Sequence, residues 1–181
     1  RYNEETANFD LYYQLPNGSL DIFCMHIDKG YLWIGTTTNG VYRLNIDKKE
    51  LEHPIRKGNI ISFYRDSGGE LWIGSWEEGL FHVKTNGKIE NFKYDAKNPH
   101  SLSSNFVRAC CEDNLGNIWI GTFNGLNRYN KSTGLFQNHT ANDIQSDGLT
   151  HSSIWCIVKD NQGTLWLGTY FGLSLIHISE P

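Results

Sequence analysis

Trp76-Glu77-Glu78 sets a large aromatic beside two carboxylates in a short polar stretch between apolar runs. An exposed indole face can stack on the apolar C–H side of a sugar ring while carboxylate or amide groups beside it bind the ring hydroxyls. That chemistry is binding, not turnover. Comparable short stretches occur as Thr37-Thr38-Asn39, Phe123-Asn124 and Tyr170-Phe171. Trp76, Glu77, Glu78, Phe123, Asn124, Tyr170 and Phe171 are therefore the leading ligand-contact candidates. The competing reading is that Trp76, Phe123 and Phe171 fill gaps between structural units, because large aromatics are mostly buried. Two longer connections, 95–105 and 141–153, add His100, Asn105, Asp147 and His151, each of which also fits a solvated linker.

Catalytic signatures are weak. No P-loop, HExxH or GxSxG pattern occurs, so no catalytic residue is assigned. Glu77 and Glu78 are adjacent, whereas a glycosidase pair must face each other across roughly 5 to 10 Å. The four cysteines, Cys24, Cys110, Cys111 and Cys156, have no spacing that closes a zinc site. They read as small buried hydrophobes, with Cys110 and Cys111 on opposite faces of one strand. Neither a metal nor a cofactor is expected. The 16 basic and 20 acidic residues are scattered, giving a net charge of −4, and no basic run could track a phosphate backbone. Nucleic acid is not an expected partner. No stretch approaches the roughly 20 apolar residues of a membrane-spanning helix.

The elements that must position these residues appear when the chain is overlaid on itself. Leu32-Trp33-Ile34-Gly35-Thr36 returns as Leu71-Trp72-Ile73-Gly74-Ser75, Ile118-Trp119-Ile120-Gly121-Thr122 and Leu165-Trp166-Leu167-Gly168-Thr169. The Trp residues are 39, 47 and 47 positions apart, near the period of propeller blades. Before each motif lies an apolar run ending in Asp28, Asp66, Asp113 or Asp160, then a Gly-bearing turn; after it comes a Gly and another apolar run. Each unit thus reads as four antiparallel strands, and the turn of the first copy, Asp28-Lys29-Gly30, is one residue shorter than the others. Residues recurring in every copy, Trp33, Trp72, Trp119, Trp166 and the four turn Asp, are read as architecture, the Trp ring as core. Function should lie where copies differ. Arg108 and Trp155 are such differences, standing five residues before the turn Asp where other copies have Phe23 and Ile61. Arg108 either faces the central channel or pairs with an acidic neighbour such as Glu112.

The fold expected is all-β, a partial β-propeller of about four four-stranded blades. A blade remnant occupies 1–13, and repeats occupy about 20–55, 59–94, 105–140 and 153–172. The last nine residues, Leu173 to Pro181, leave the repeat, resemble the translation of a sequencing adapter, and are read as a non-native tail.

The pattern D-x-x-G-x-[LI]-W-[IL]-G-[TS]-x(2,3)-G-[LV], with Asn98-Pro99-His100-Ser101-Leu102-Ser103-Ser104-Asn105 ahead of a strand, resembles the two-component regulator propeller repeat over residues 1 to 172. The resemblance implies the periplasmic sensor region of an inner-membrane hybrid histidine kinase. It implies a seven-bladed ring, completed by further blades and followed by downstream signalling domains, in a dimeric parent protein. It also implies an oligosaccharide or other small ligand, with kinase activity elsewhere in the parent. The alternatives are a propeller enzyme acting on glycans, a hydrolase or lyase, and a protein-interaction platform.

Overall fold

The computed structural model describes residues 2–14, 21–141, 149 and 151–176. A short pair, β1 (Tyr2–Asn3) and β2 (Asn8–Phe9), precedes four sheets. The first holds β3 (Ile22–Asp28), β4 (Tyr31–Thr36), β5 (Val41–Asn45) and β6 (Leu51–Ile55); the second β7 (Ile60–Arg65), β8 (Leu71–Ser75), β9 (Leu80–Val83) and β10 (Ile89–Phe92). The third holds β11 (Val107–Glu112), β12 (Ile118–Thr122), β13 (Gly125–Asn130) and β14 (Leu135–His139), and the fourth β15 (Ile154–Lys159), β16 (Leu165–Thr169) and β17 (Gly172–Ile176). Within each sheet the strands lie in sequence order and pair antiparallel. Consecutive sheets meet through their first strands, β3 on β7, β7 on β11 and β11 on β15. No described residue is helical. This is a partial β-propeller.

The first three motif Trp are each covered by the sheet that follows. Trp33 packs with Ile60, Leu71 and Ile73 of the second sheet. Trp72 packs with Val107, Cys110 and Ile118 of the third, and Trp119 with Ile154, Ile157 and Leu165 of the fourth. The core reading fails for Trp166, which is 37% exposed because no described sheet covers that face. Cys156 departs from the buried reading for the same reason: it is exposed, whereas its counterpart Cys24 is half-buried and its Sγ–H donates to the Ile60 carbonyl. Cys110 and Cys111 are buried in different clusters, one toward each neighbouring sheet.

The turn Asp acts as a clamp. One carboxylate oxygen accepts backbone N–H groups of the turn, and the other accepts the indole N–H six residues on: Asp66 from Trp72 at 2.9 Å, Asp113 from Trp119 and Asp160 from Trp166 at 2.8 Å. Asp28 does not follow this pattern. Its shorter turn has Lys29 and Gly30 at φ 46° and 79°, the two-residue hairpin geometry, which pairs Asp28 with Tyr31. The Asp28 carboxylate accepts from Arg65 of the second sheet instead.

Residues Gly172–Ile176 pair with β16 in continuous register, so the first residues after Gly172 lie in a strand; 177–181 fall outside the described residues.

Candidate functional site

The motif Thr or Ser that ends the second strand of each sheet shapes the loop to the third. Its hydroxyl donates to the carbonyl of the loop-closing Gly, in the pairs Thr36–Gly40, Ser75–Gly79, Thr122–Gly125 and Thr169–Gly172, at 2.8–2.9 Å. In the first three sheets the same oxygen also accepts a loop N–H, from Asn39, Glu78 or Asn124. The loop is then tied on both sides. Trp76 N–H donates to Asn59 O, and Gly79 N–H donates to Asn105 O ahead of the next sheet; Phe123 to Phe106 and Gly125 to Ser152 repeat the arrangement. These loops therefore stand side by side along one rim. Gly79 is at φ 79°, and a Cβ there would run into the Phe92 carbonyl oxygen. Gly79→Ala should cost about 2 kcal/mol or more in thermal unfolding and loosen the Trp76 loop.

A second device supplies residues to this rim. In every sheet the first strand has a register break against the second, between Ile22 and Cys24, Ile60 and Ser62, Val107 and Ala109, and Ile154 and Cys156. The residues skipped are Phe23, Ile61, Arg108 and Trp155. A bulge leaves its extra residue unpaired and re-aims the side chain. This explains why one sequence position changes character from copy to copy while its neighbours do not.

Arg108 stands at the centre of what these devices assemble. Its guanidinium lies 3.8 Å from the Trp155 ring centroid, 5.4 Å from that of Trp76 and 5.5 Å from that of Phe123. Nη1 donates to Ser153 Oγ at 2.9 Å, and Nε is sealed without a partner. The sequence-based alternative of a pairing with Glu112 is not made: Glu112 accepts from Ser67 N–H and pairs with Lys131 instead. Burial lowers the Arg108 guanidinium from its ordinary value. It remains cationic.

Around it, Trp76 is 36% and Phe123 56% exposed, and both lie on sheets flanked on either side by another. Trp76 meets Phe106 edge-on at 5.5 Å, and Phe106 meets Phe123 at 5.9 Å. Phe106 was not singled out in the sequence; it packs beneath both rim aromatics. On the far side, Trp155, Tyr170 and Phe171 continue the aromatic row, with His151 at 5.2 Å from Phe171 and its Nδ1 accepting Ser153 N–H. On the near side, a cavity of about 330 Å³ is lined by Thr37, Thr38, Gly58, Asn59, Trp76, Glu77 and Glu78. Glu78 is paired with Lys57 at 2.7 Å and Lys93 at 2.8 Å, and its bonds to these two ammonium groups hold its carboxyl below the usual range. Glu77 and Asn124 are exposed on their loops.

The other rim candidates fall elsewhere. Asn105 Oδ1 accepts Tyr94 N–H, supporting the Trp76 loop from behind. His100 lies by Arg128, Leu135 and Phe136 in a separate depression. Asp147 lies outside the described residues. Among those residues no cluster of His, Cys, Asp and Glu could hold a metal ion.

Three stretches, 54–77, 101–124 and 148–171, match the family model described as the two-component regulator propeller. Those three stretches carry two-component regulator propeller repeats. Each matched stretch ends in one of the rim loops just described, at Glu77, Asn124 and Phe171. Among solved structures, the extracellular domain assigned to a hybrid two component system of B. thetaiotaomicron is 28% identical, with a TM-score of 0.67 over 86% of this chain and 21% of its own. The chain thus spans about a fifth of that relative. Virginiamycin B lyase from Staphylococcus aureus is 15% identical, with a TM-score of 0.66 over 93% of this chain and 59% of its own; the computationally designed Ika4 protein is 13% identical, with 0.65 over 95% and 100%. Both show the propeller fold alone. No curated protein matches the chain.

Proposed function

We propose that this chain is the ligand-binding propeller portion of an extracytoplasmic sensor in a two-component signalling protein, and that it binds an oligosaccharide at the Trp76 rim without turning it over. The observation that carries the ligand reading is the row of part-exposed aromatics, Trp76, Phe123, Trp155 and Tyr170, held by hydrogen-bonded loops beside the cavity at Glu77 and Glu78. Flat apolar faces interleaved with polar groups suit the alternating C–H and O–H surfaces of a pyranose. The repeats, together with the likeness to an extracellular domain of a hybrid two component system, support the sensor reading. On that reading the rim lies on the periplasmic side of the inner membrane. The partners are the remaining blades and the downstream signalling domains of a dimeric parent, and the event is passed on as a change in domain or dimer geometry.

Trp76→Ala should weaken binding of oligosaccharides identified on a glycan array by about tenfold or more, equivalent to about 1.4 kcal/mol of lost contact, as measured by calorimetry. Unchanged affinity would remove Trp76 from the site. Disappearance of intact oligosaccharide during incubation would replace the sensor with a glycan-degrading enzyme, and binding to polypeptide alone would replace it with an interaction platform.

A further inference from the structure

Arg108 is a cation without a carboxylate partner among the described residues. Its neighbours are three aromatic rings and one hydroxyl. A ring stacked on a guanidinium attracts it through the ring quadrupole but does not neutralise its charge. The surroundings add to the imbalance: on the adjoining loop, Lys57 and Lys93 share the single carboxylate of Glu78. Among the described residues around Trp76, the three cations Arg108, Lys57 and Lys93 stand against the two carboxylates Glu77 and Glu78.

The geometry of the guanidinium is equally specific. Its central carbon lies 3.8 Å from the Trp155 ring centroid, over the ring. Nη1 uses one N–H group on Ser153, and Nη2 makes no hydrogen bond among the described residues. A guanidinium with donors to spare beside flat apolar faces matches a ring that bears an anionic group: the ring stacks and the oxyanion can receive paired N–H bonds. A neutral hydroxyl would accept one bond and leave the charge unmatched.

We infer that the rim takes an anionic saccharide, a pyranose ring bearing a carboxylate or a sulfate, with Arg108 receiving the anion and Trp76 and Phe123 flanking the ring. This inference rests on the saccharide reading above and narrows it. The bulge position gives it a simple sequence basis, because an Arg occupies the one re-aimed place where other copies have Phe23, Ile61 and Trp155.

The test uses the 181-residue chain, titrated by tryptophan fluorescence, since Trp76 and Trp155 flank Arg108. The probes are tetragalacturonate against its methyl ester, and a carrageenan tetrasaccharide against the same tetrasaccharide after chemical desulfation. Arg108→Gln and Arg108→Lys are titrated alongside, each first checked for the parent near-ultraviolet circular dichroism. At least one acidic probe is expected to bind about ten- to a hundredfold more tightly than its neutral counterpart. Arg108→Gln should erase that preference by weakening the acidic probe alone, and Arg108→Lys should keep part of it. The pair that shows the preference tells carboxylate from sulfate. Equal binding of acidic and neutral probes, or an Arg108→Gln variant that keeps the preference, overturns the inference; Trp76-dependent binding of the neutral probes would then leave the saccharide reading standing. Binding of none of the four overturns both.

Discussion

Trp72→Ala is expected to lower the free energy of unfolding by about 3–5 kcal/mol, with the urea midpoint falling accordingly. Trp72 is 0% exposed and packs against Leu102, Val107, Cys110, Ile118 and Tyr129 of the following sheet and its lead-in. Its truncation would open a cavity between two sheets. Two polar consequences add to the loss: Asp66 would no longer receive the indole N–H at 2.9 Å, and His82, stacked on the indole at 3.8 Å with its pKa lowered by burial, would lose its cover. Trp166→Ala supplies the control. It removes the same residue from the same motif, but from a face that no described sheet covers, and should cost less than about half as much. Equal costs for the two variants would mean that the motif Trp stabilises its own hairpin rather than the junction between sheets.

The contrast between these two residues also marks how far the sequence could be read. A pattern repeated four times dictates one local structure four times, so the strands, the Gly-bearing turns and the all-β class were legible from periodicity and turn chemistry. Burial was less so, because it depends on the neighbouring sheet rather than on the residue. Trp166 and Cys156 share the sequence environment of Trp33 and Cys24 and still differ from them in exposure. The shorter Asp28-Lys29-Gly30 turn was visible as a deletion, but its consequence, an Asp28 handed over to Arg65 of the next sheet, required three-dimensional proximity. At the rim, the loop aromatics and the odd position of Arg108 could be found by asking where the copies disagree. Phe106 could not be, since its importance lies in packing beneath Trp76 and Phe123. The grouping of Arg108 with Trp155 and Trp76 joins residues from three sheets: register breaks in β11 and β15 set the first two toward the loop that carries Trp76.

The junction between the second and third sheets has a polar counterpart to Trp72, and its removal should also be felt, at a smaller cost. Lys131 Nζ lies 2.9 Å from Asp66 and 3.0 Å from Glu112, both buried carboxylates, one in the turn after β7 and the other at the end of β11. Glu112 also accepts Ser67 N–H at 2.7 Å, and the Tyr64 hydroxyl oxygen accepts Glu112 N–H at 2.8 Å, so the two sheets are laced together around one ammonium group. Lys131→Met keeps the aliphatic stem and removes the charge. With Lys131 about one-third exposed, solvent screening reduces the cost from that of a fully buried pair to about 2 kcal/mol at neutral pH. The pH dependence separates charge from packing. For Asp66, burial alone would raise the pKa, but the bonds from Trp72, Lys131 and Glu70 outweigh it and hold the carboxyl low; for Glu112, burial is outweighed by Ser67 and Lys131. Folded-state pKa values below the unfolded ones mean that this stabilisation is fully present above the ordinary carboxylate range and is lost as pH falls through the folded values, below about pH 4. Without Lys131 the burial contribution gains weight, the carboxyls take up protons at higher pH, and protonation relieves their repulsion. The stability deficit of Lys131→Met should therefore be largest near pH 7 and shrink toward pH 4 in parallel urea denaturation series. A deficit constant across that range would assign Lys131 to packing alone and leave the two carboxylates stabilised by their backbone donors.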